Sequence, residues 1–130
     1  MAGRRPAAEP DPRLWFDRIA WHEHTAPDGV WIVAVRGALL WPGSRLLAER
    51  LAAIARCAHD GLVLDLSEVT KIDTALVGVL GAAGRQLAWR RRRLAVVTDD
   101  AAVVATVARA AGGVGLRVVA TREEGLEAVA

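Results

Sequence analysis

Two short runs of almost unbroken aliphatic side chains, Leu62–Leu66 and Leu94–Val97, constrain this chain more than any other feature. Strands of that kind have no polar face to turn to water, so they must be covered on both sides, as in a parallel sheet. Each run is followed by a helix candidate, one beginning near Thr74 and one capped by Asp99 or Asp100 and ending at Gly112. A last strand, Leu116–Val119, leads into a short helix from about Arg122. Upstream, Phe16–His24 alternates Ile19 and Trp21 with polar neighbours, and Trp31–Val35 is a β-prone run. The turn residues Pro27, Asp28 and Gly29 between them predict an antiparallel hairpin. After Gly37 a helix whose start is marked by Pro42 and Ser44 repeats apolar positions at Leu47, Leu51, Ile54 and Ala58. The order β-β-α-β-α-β-α-β-α predicts an α/β fold with a mixed β-sheet of about four to five strands, helices packed against it and right-handed crossovers between the inner strands.

At 130 residues the chain fits one domain, and 53% hydrophobic with 25% charged residues places it among globular proteins. Residues 1–13, rich in Pro, Ala and charge, read as a disordered lead to a domain spanning 14–130. No apolar run approaches the roughly 18 residues that cross a bilayer, which predicts a cytoplasmic protein without direct membrane insertion. Cys57, the one cysteine, is expected to be a small buried residue.

The net charge of +2 is local in origin: without Arg90, Arg91, Arg92 and Arg93 the 17 basic residues fall to 13 against 15 acidic, a balance of −2. At a helix C-terminus such a run complements the helix dipole and stays solvated. Trp89 beside it has no second aromatic interleaved, so nucleic-acid binding is not expected. His22 and His24 alternate on one face of a strand with no third metal ligand evident, and read as exposed hairpin residues. Asp65, at the end of a buried strand, is expected to tie down the following loop. There is no phosphate-cradling loop and no nucleophile elbow, and Gly112-Gly113-Val114-Gly115 precedes a strand where a dinucleotide site needs a helix. The expectation is a non-enzyme without cofactor or metal.

The segment from Leu62 to Leu80, in which an apolar strand runs into Asp65-Leu66 and a loop ends in Asp73 before Thr74 opens a helix, resembles the central signature of STAS domains. Gly37-Ala38-Leu39 stands where that family often has Gly-Glu-Leu, and Arg122–Ala128 looks like its last helix, so the resemblance covers about Phe16 to Val129. It implies a module that binds other proteins. Many relatives are anti-sigma-factor antagonists, which capture a kinase-type anti-sigma factor and are released when that partner phosphorylates a serine at the helix start. The usual motif there is Asp-Ser-Ser-Gly with the second serine as acceptor; this chain has Asp73-Thr74-Ala75-Leu76, and Ala75 has no hydroxyl. Thr74 is then the remaining candidate for phosphorylation. A second branch, the small STAS subunits seated on the ATPase of bacterial lipid-transport ABC transporters, does carry Asp-Thr here, with the threonine contributing to docking.

Helical spacing from Thr74 divides that helix into a core face of Leu76, Val79, Leu80, Ala83 and Leu87 and a second face of Ala75, Gly78, Ala82, Arg85 and Trp89. The second face either docks a partner or packs on a neighbouring helix of the same molecule. Together with Asp73 and Thr74 it makes the candidate partner-binding site: Asp73, Thr74, Ala75, Gly78, Ala82 and Arg85. Thr74 is expected to cap the helix through its side-chain oxygen, leaving the hydroxyl less available to a kinase and the binding constitutive.

Overall fold

A computed structural model describes residues 19–40, 43–57, 60–111 and 115–130. The expectations placed on residues 1–18, Pro42, Ala58 and 112–114 fall outside them. The described chain runs β1 (Ile19–Thr25), β2 (Trp31–Leu39), α1 (Gly43–Cys57), β3 (Leu62–Ile72), α2 (Ala75–Trp89), β4 (Leu94–Val97), α3 (Ala101–Ala111), β5 (Leu116–Val119) and α4 (Arg122–Val129). The strands form a mixed five-stranded sheet in the order β1-β2-β3-β4-β5, antiparallel between β1 and β2 and parallel thereafter.

Because every crossover moves the same way along the sheet, right-handed connections put α1, α2 and α3 on one face. The larger core lies there: Leu47 and Leu51 of α1, Leu80 and Leu87 of α2 and Val103 and Val107 of α3 close over Val33, Leu62, Leu64, Leu94 and Val96. The helix α4 follows the last strand, is free of that rule, and covers the opposite face, where Val129 packs with Val30, Ile32, Val63, Ala95 and Val97. The apolar runs of β3 and β4 are thus buried on both sides, as their composition requires.

The hairpin turns at Pro27-Asp28-Gly29, where Gly29 takes φ +92° and the Val30 N–H donates to Asp28 Oδ1 at 3.3 Å. Strand β3 extends six residues past Leu66, to Ile72, because β2 also continues to Leu39 and pairs with it. β4 accompanies β3 only as far as Asp65, so beyond that point exposure resumes: Ser67, Glu68, Thr70 and Lys71 face water while Val69 stays buried. The edge strand β1 is clamped to α1 by Arg50, whose Nε and Nη2 donate to the Glu23 carboxylate at 2.7 and 2.6 Å while its guanidinium lies over Trp31.

Two sequence expectations are corrected. Cys57 is exposed, because as the last residue of α1 it falls off the buried stripe of Leu47, Leu51, Ile54 and Ala55. Arg90 is not simply solvated: its guanidinium donates to the backbone carbonyls of Arg56, at 2.7 Å, and Ala55, in the last turn of α1, where carbonyls have no N–H partner within the helix. Arg91, Arg92 and Arg93 are exposed, as expected. The chain leaves α2 in a Schellman turn, with Arg92 N–H donating to Leu87 O and Arg91 N–H to Ala88 O, and this holds Arg91 at φ 59°.

Asp65 does more than order the following loop. It accepts a hydrogen bond from Ser67 N–H at 3.0 Å and pairs with Arg122 at the start of α4, through Nε at 3.0 Å and Nη2 at 2.7 Å. Burial pulls the Asp65 carboxyl upward, but hydrogen bonds from Ser67 and the Arg122 pair outweigh it and hold the group below its ordinary value. A depressed carboxylate contributes stability above its unfolded value, near 4, and loses that contribution as pH falls through the folded one. Asp65→Asn is therefore expected to lower stability at neutral pH by about 1–2 kcal/mol, with the difference from wild type shrinking below about pH 4. Urea melts across pH check this; a deficit that persists unchanged in acid contradicts it.

Candidate functional site

The link from β3 to α2 is short and tied at both ends. Asp73 N–H donates to Leu39 O at 2.7 Å, which anchors the loop to the end of β2. Asp73 Oδ1 then accepts from Ala75 N–H at 3.0 Å, and Leu76 N–H bonds to Asp73 O at 2.9 Å. Thr74 already has helical backbone angles, φ −62° and ψ −25°, and its side chain makes no capping bond. The expected Thr74 cap is thereby corrected. A capping side chain works from an extended backbone that turns its oxygen back over the first N–H groups, and at Thr74 the helical geometry has begun. The capping contact comes from Asp73, and Thr74 stands exposed beside it. The Thr74 hydroxyl is not occupied as a cap, so constitutive binding does not follow from it.

Along α2 the two faces separate as the spacing predicts. Leu76, Leu80, Ala83 and Leu87 are buried and Val79 is half-buried. Ala75, Gly78, Ala82, Arg85 and Trp89 are all exposed, so this face does not pack on a neighbouring helix of the same molecule. Beside it α1 and α2 enclose an open groove of about 380 Å³, floored by Ala48, Ala52, Val79, Ala82 and Ala83. The structure therefore brings Asp73, Thr74, Ala75, Gly78, Ala82 and Arg85 onto one helix and its start, with a small-residue surface between a free hydroxyl and a guanidinium.

Gly78 has no structural reason to be glycine. A Cβ built there meets nothing within 4 Å. By contrast, one at Gly125 would press on Val97 Cγ2 at 3.0 Å, where α4 crosses the sheet. In a helix interior glycine costs about 1 kcal/mol relative to alanine.

Among the described residues no group of three or more His, Cys, Asp or Glu could hold a metal ion. His22 and His24 are exposed as expected, their rings stacked with centroids 5.9 Å apart. No described helix is long and apolar enough to cross a membrane.

A family model described as "Mlab, STAS domain" matches residues 23–119. Solved structures share the fold at low identity. An anti-sigma factor antagonist from Mycobacterium paratuberculosis is 22% identical, with 87% of this chain and 95% of that one covered and a TM-score of 0.71. The Bacillus cell fate determinant SpoIIAA in its phosphorylated form is 14% identical over 84% and 98% of the two chains, with a TM-score of 0.65. RsbS from Moorella thermoacetica is 22% identical over 83% and 92%, with a TM-score of 0.63. A search of curated proteins finds no match.

The corrected cap yields a direct comparison. Asp73→Ala is expected to cost about 1 kcal/mol of stability and Thr74→Ala less than about 0.5 kcal/mol, since only the first removes a bond to the helix N-terminus. Equilibrium urea melts of the two variants check it, and the reverse ranking would restore Thr74 as the cap.

Proposed function

The chain belongs to the STAS domain family, and on that premise we propose that it is a protein-binding regulator of the anti-sigma-factor-antagonist kind, capturing a kinase-type anti-sigma factor with the start and outer face of α2. The observation that carries this reading is Gly78, exposed on a helix and retained where alanine would be more stable and would clash with nothing. A residue that weakens its own helix without serving the fold is accounted for by what approaches from outside. Between Ala75 and Ala82 it leaves the backbone open to close contact, and Arg85 one turn further on is of a type favoured at binding hot spots.

The regular phosphate acceptor is replaced by Ala75, so the hydroxyl a partner kinase would meet at this surface is that of Thr74, which is exposed and not engaged as a cap. A phosphate there would add about −1.5 to −2 charge at the docking face and have to be desolvated on binding. A second reading, a small subunit docked on the ATPase of a lipid-transport ABC complex, is favoured by the same Asp73-Thr74 pair with its free hydroxyl. In that case Thr74 is a contact and carries no phosphate.

Glycine supplies a test that separates stability from binding. Gly78→Ala is expected to raise stability by about 0.5–1 kcal/mol. Gly78→Gln, whose side chain projects into open space, is expected to leave the fold intact and weaken partner capture at least about tenfold. Affinity capture from the native cell, read by mass spectrometry, identifies the bound protein as a kinase-type regulator or a transporter ATPase. Full capture by Gly78→Gln would remove α2 from the interface. Incubation with the captured kinase and ATP, followed by intact mass, then shows whether Thr74 is modified.

A further inference from the structure

The helices α1, α2 and α3 all run against the parallel strands, so their C-termini emerge at one end of the molecule, opposite Thr74. That end carries Arg56 in the last turn of α1, Arg90–Arg93 following α2, and Arg109 in the last turn of α3. The helix dipole accounts for a cation within the last turn and fades beyond it, so it explains Arg56, Arg90 and Arg109 but not Arg91, Arg92 and Arg93. Neither Arg56 nor any of these three makes an ion pair with the described residues. The acidic groups at this end are Asp28 and Asp60 at the hairpin turn, with the Asp60 carboxylate packed against Gly29, and Glu127 in the last turn of α4 on the sheet's other face.

Two features resist explanation by the fold. Trp89 is 88% exposed, whereas Trp21 and Trp31 are half-buried in the core. Arg91 occupies the left-handed backbone position of a Schellman turn, which glycine takes at no steric cost. Beside them lies an open concavity of about 490 Å³ lined by Arg56, Gln86, Trp89 and Arg90.

We infer that this end is a peripheral attachment surface for an anionic lipid membrane, with Arg91, Arg92 and Arg93 against the headgroup phosphates and Trp89 at the level of the interface. Charge complementarity selects an anionic partner, and the indole selects the interface among such partners. Tryptophan, with an apolar body and one polar N–H, is the side chain that concentrates at the membrane–water boundary. A nucleic acid strand would call for several stacking aromatics along the cationic track, and among the described residues here there is one. The attachment does not depend on the partner-binding reading. The α2 helix is 15 residues long, so the Thr74 end of the docking face is about 22 Å away and remains accessible while Trp89 touches lipid, although Arg85 lies only one turn from Trp89.

The experiment is co-sedimentation of the full chain with phosphatidylcholine vesicles, with and without about 30% phosphatidylglycerol, over a range of salt. The chain is expected to sediment only with the anionic vesicles, and to be released at high salt as screening shortens the reach of the charges. The triple variant Arg91→Gly, Arg92→Ser, Arg93→Ser should bind about a hundredfold more weakly, roughly fivefold per arginine. Trp89→Ala should lose at least about fivefold. Glycine suits the backbone at position 91 and Trp89 is exposed, so thermal melts should match wild type and the losses report binding. Wild-type affinity in the triple variant, or no dependence on phosphatidylglycerol, overturns the inference. Tight binding of polyglutamate or a short DNA duplex without vesicle binding overturns it too, and assigns the surface to that polymer.

Discussion

Strands β3 and β4 are buried on both faces, so the sheet holds only while two separate helical layers stay in place. The layer of α1, α2 and α3 is large and covers its face with leucines. The other layer is a single helix of eight residues, α4, and what positions it is specific. Thr121 and Glu124 form a capping box that fixes its start, Gly125 lets it approach Val97 and Val63 closely, and Arg122 reaches the carboxylate of Asp65 on β3. A buried charge in the middle of an apolar strand is otherwise unfavourable, and the pair turns that liability into the attachment of the layer that covers it.

The helix α2 takes its rigidity from the same sheet. Its inner face is pinned by Leu76, Leu80 and Leu87, its start by Asp73 to the end of β2 and its end by Arg90 to the carbonyls that finish α1. A helix fixed at three places can present a flat outer face without paying further ordering entropy when a partner arrives. This is why side chains as small as Ala75, Gly78 and Ala82 can matter at a protein interface: the surface is defined by the backbone, and the backbone is held at both ends of the helix.

Much of this was legible in the sequence, and where it was not the reason is local. The bounds of β4 and β5 follow from apolar runs flanked by turn residues, α4 starts at Arg122 where it was expected, and the division of α2 into two faces follows from helical period alone. The continuation of β3 to Ile72 was hidden because, once β4 ends, the strand has fewer neighbours and its residues read as loop. The cap was misassigned by one residue because Asp73 and Thr74 are both good capping types, and only the backbone angles decide between them. Cys57 was misplaced because its burial depends on where the α1 stripe ends. The pairing of Asp65 with Arg122 spans 57 residues and leaves no periodic trace, and the contact of Arg90 with α1 leaves none either.

The residues that neither the core nor the caps account for are the informative ones. Gly78 and Arg91 both depart from what their helix would prefer, the first by weakening it and the second by placing a side chain in a left-handed turn. Trp89 leaves a large aromatic in water. A sequence selected only to fold has no use for any of the three, since alanine, glycine and a polar residue at these positions would each serve the fold at least as well. They lie along one helix and its exit, with Gly78 near the start, Trp89 at the last position and Arg91 in the turn that follows, and the intervening turns keep their apolar side in the core. The two ends of α2 thus carry separate local costs, and because nothing among the described residues repays either, each is explained by a surface outside them.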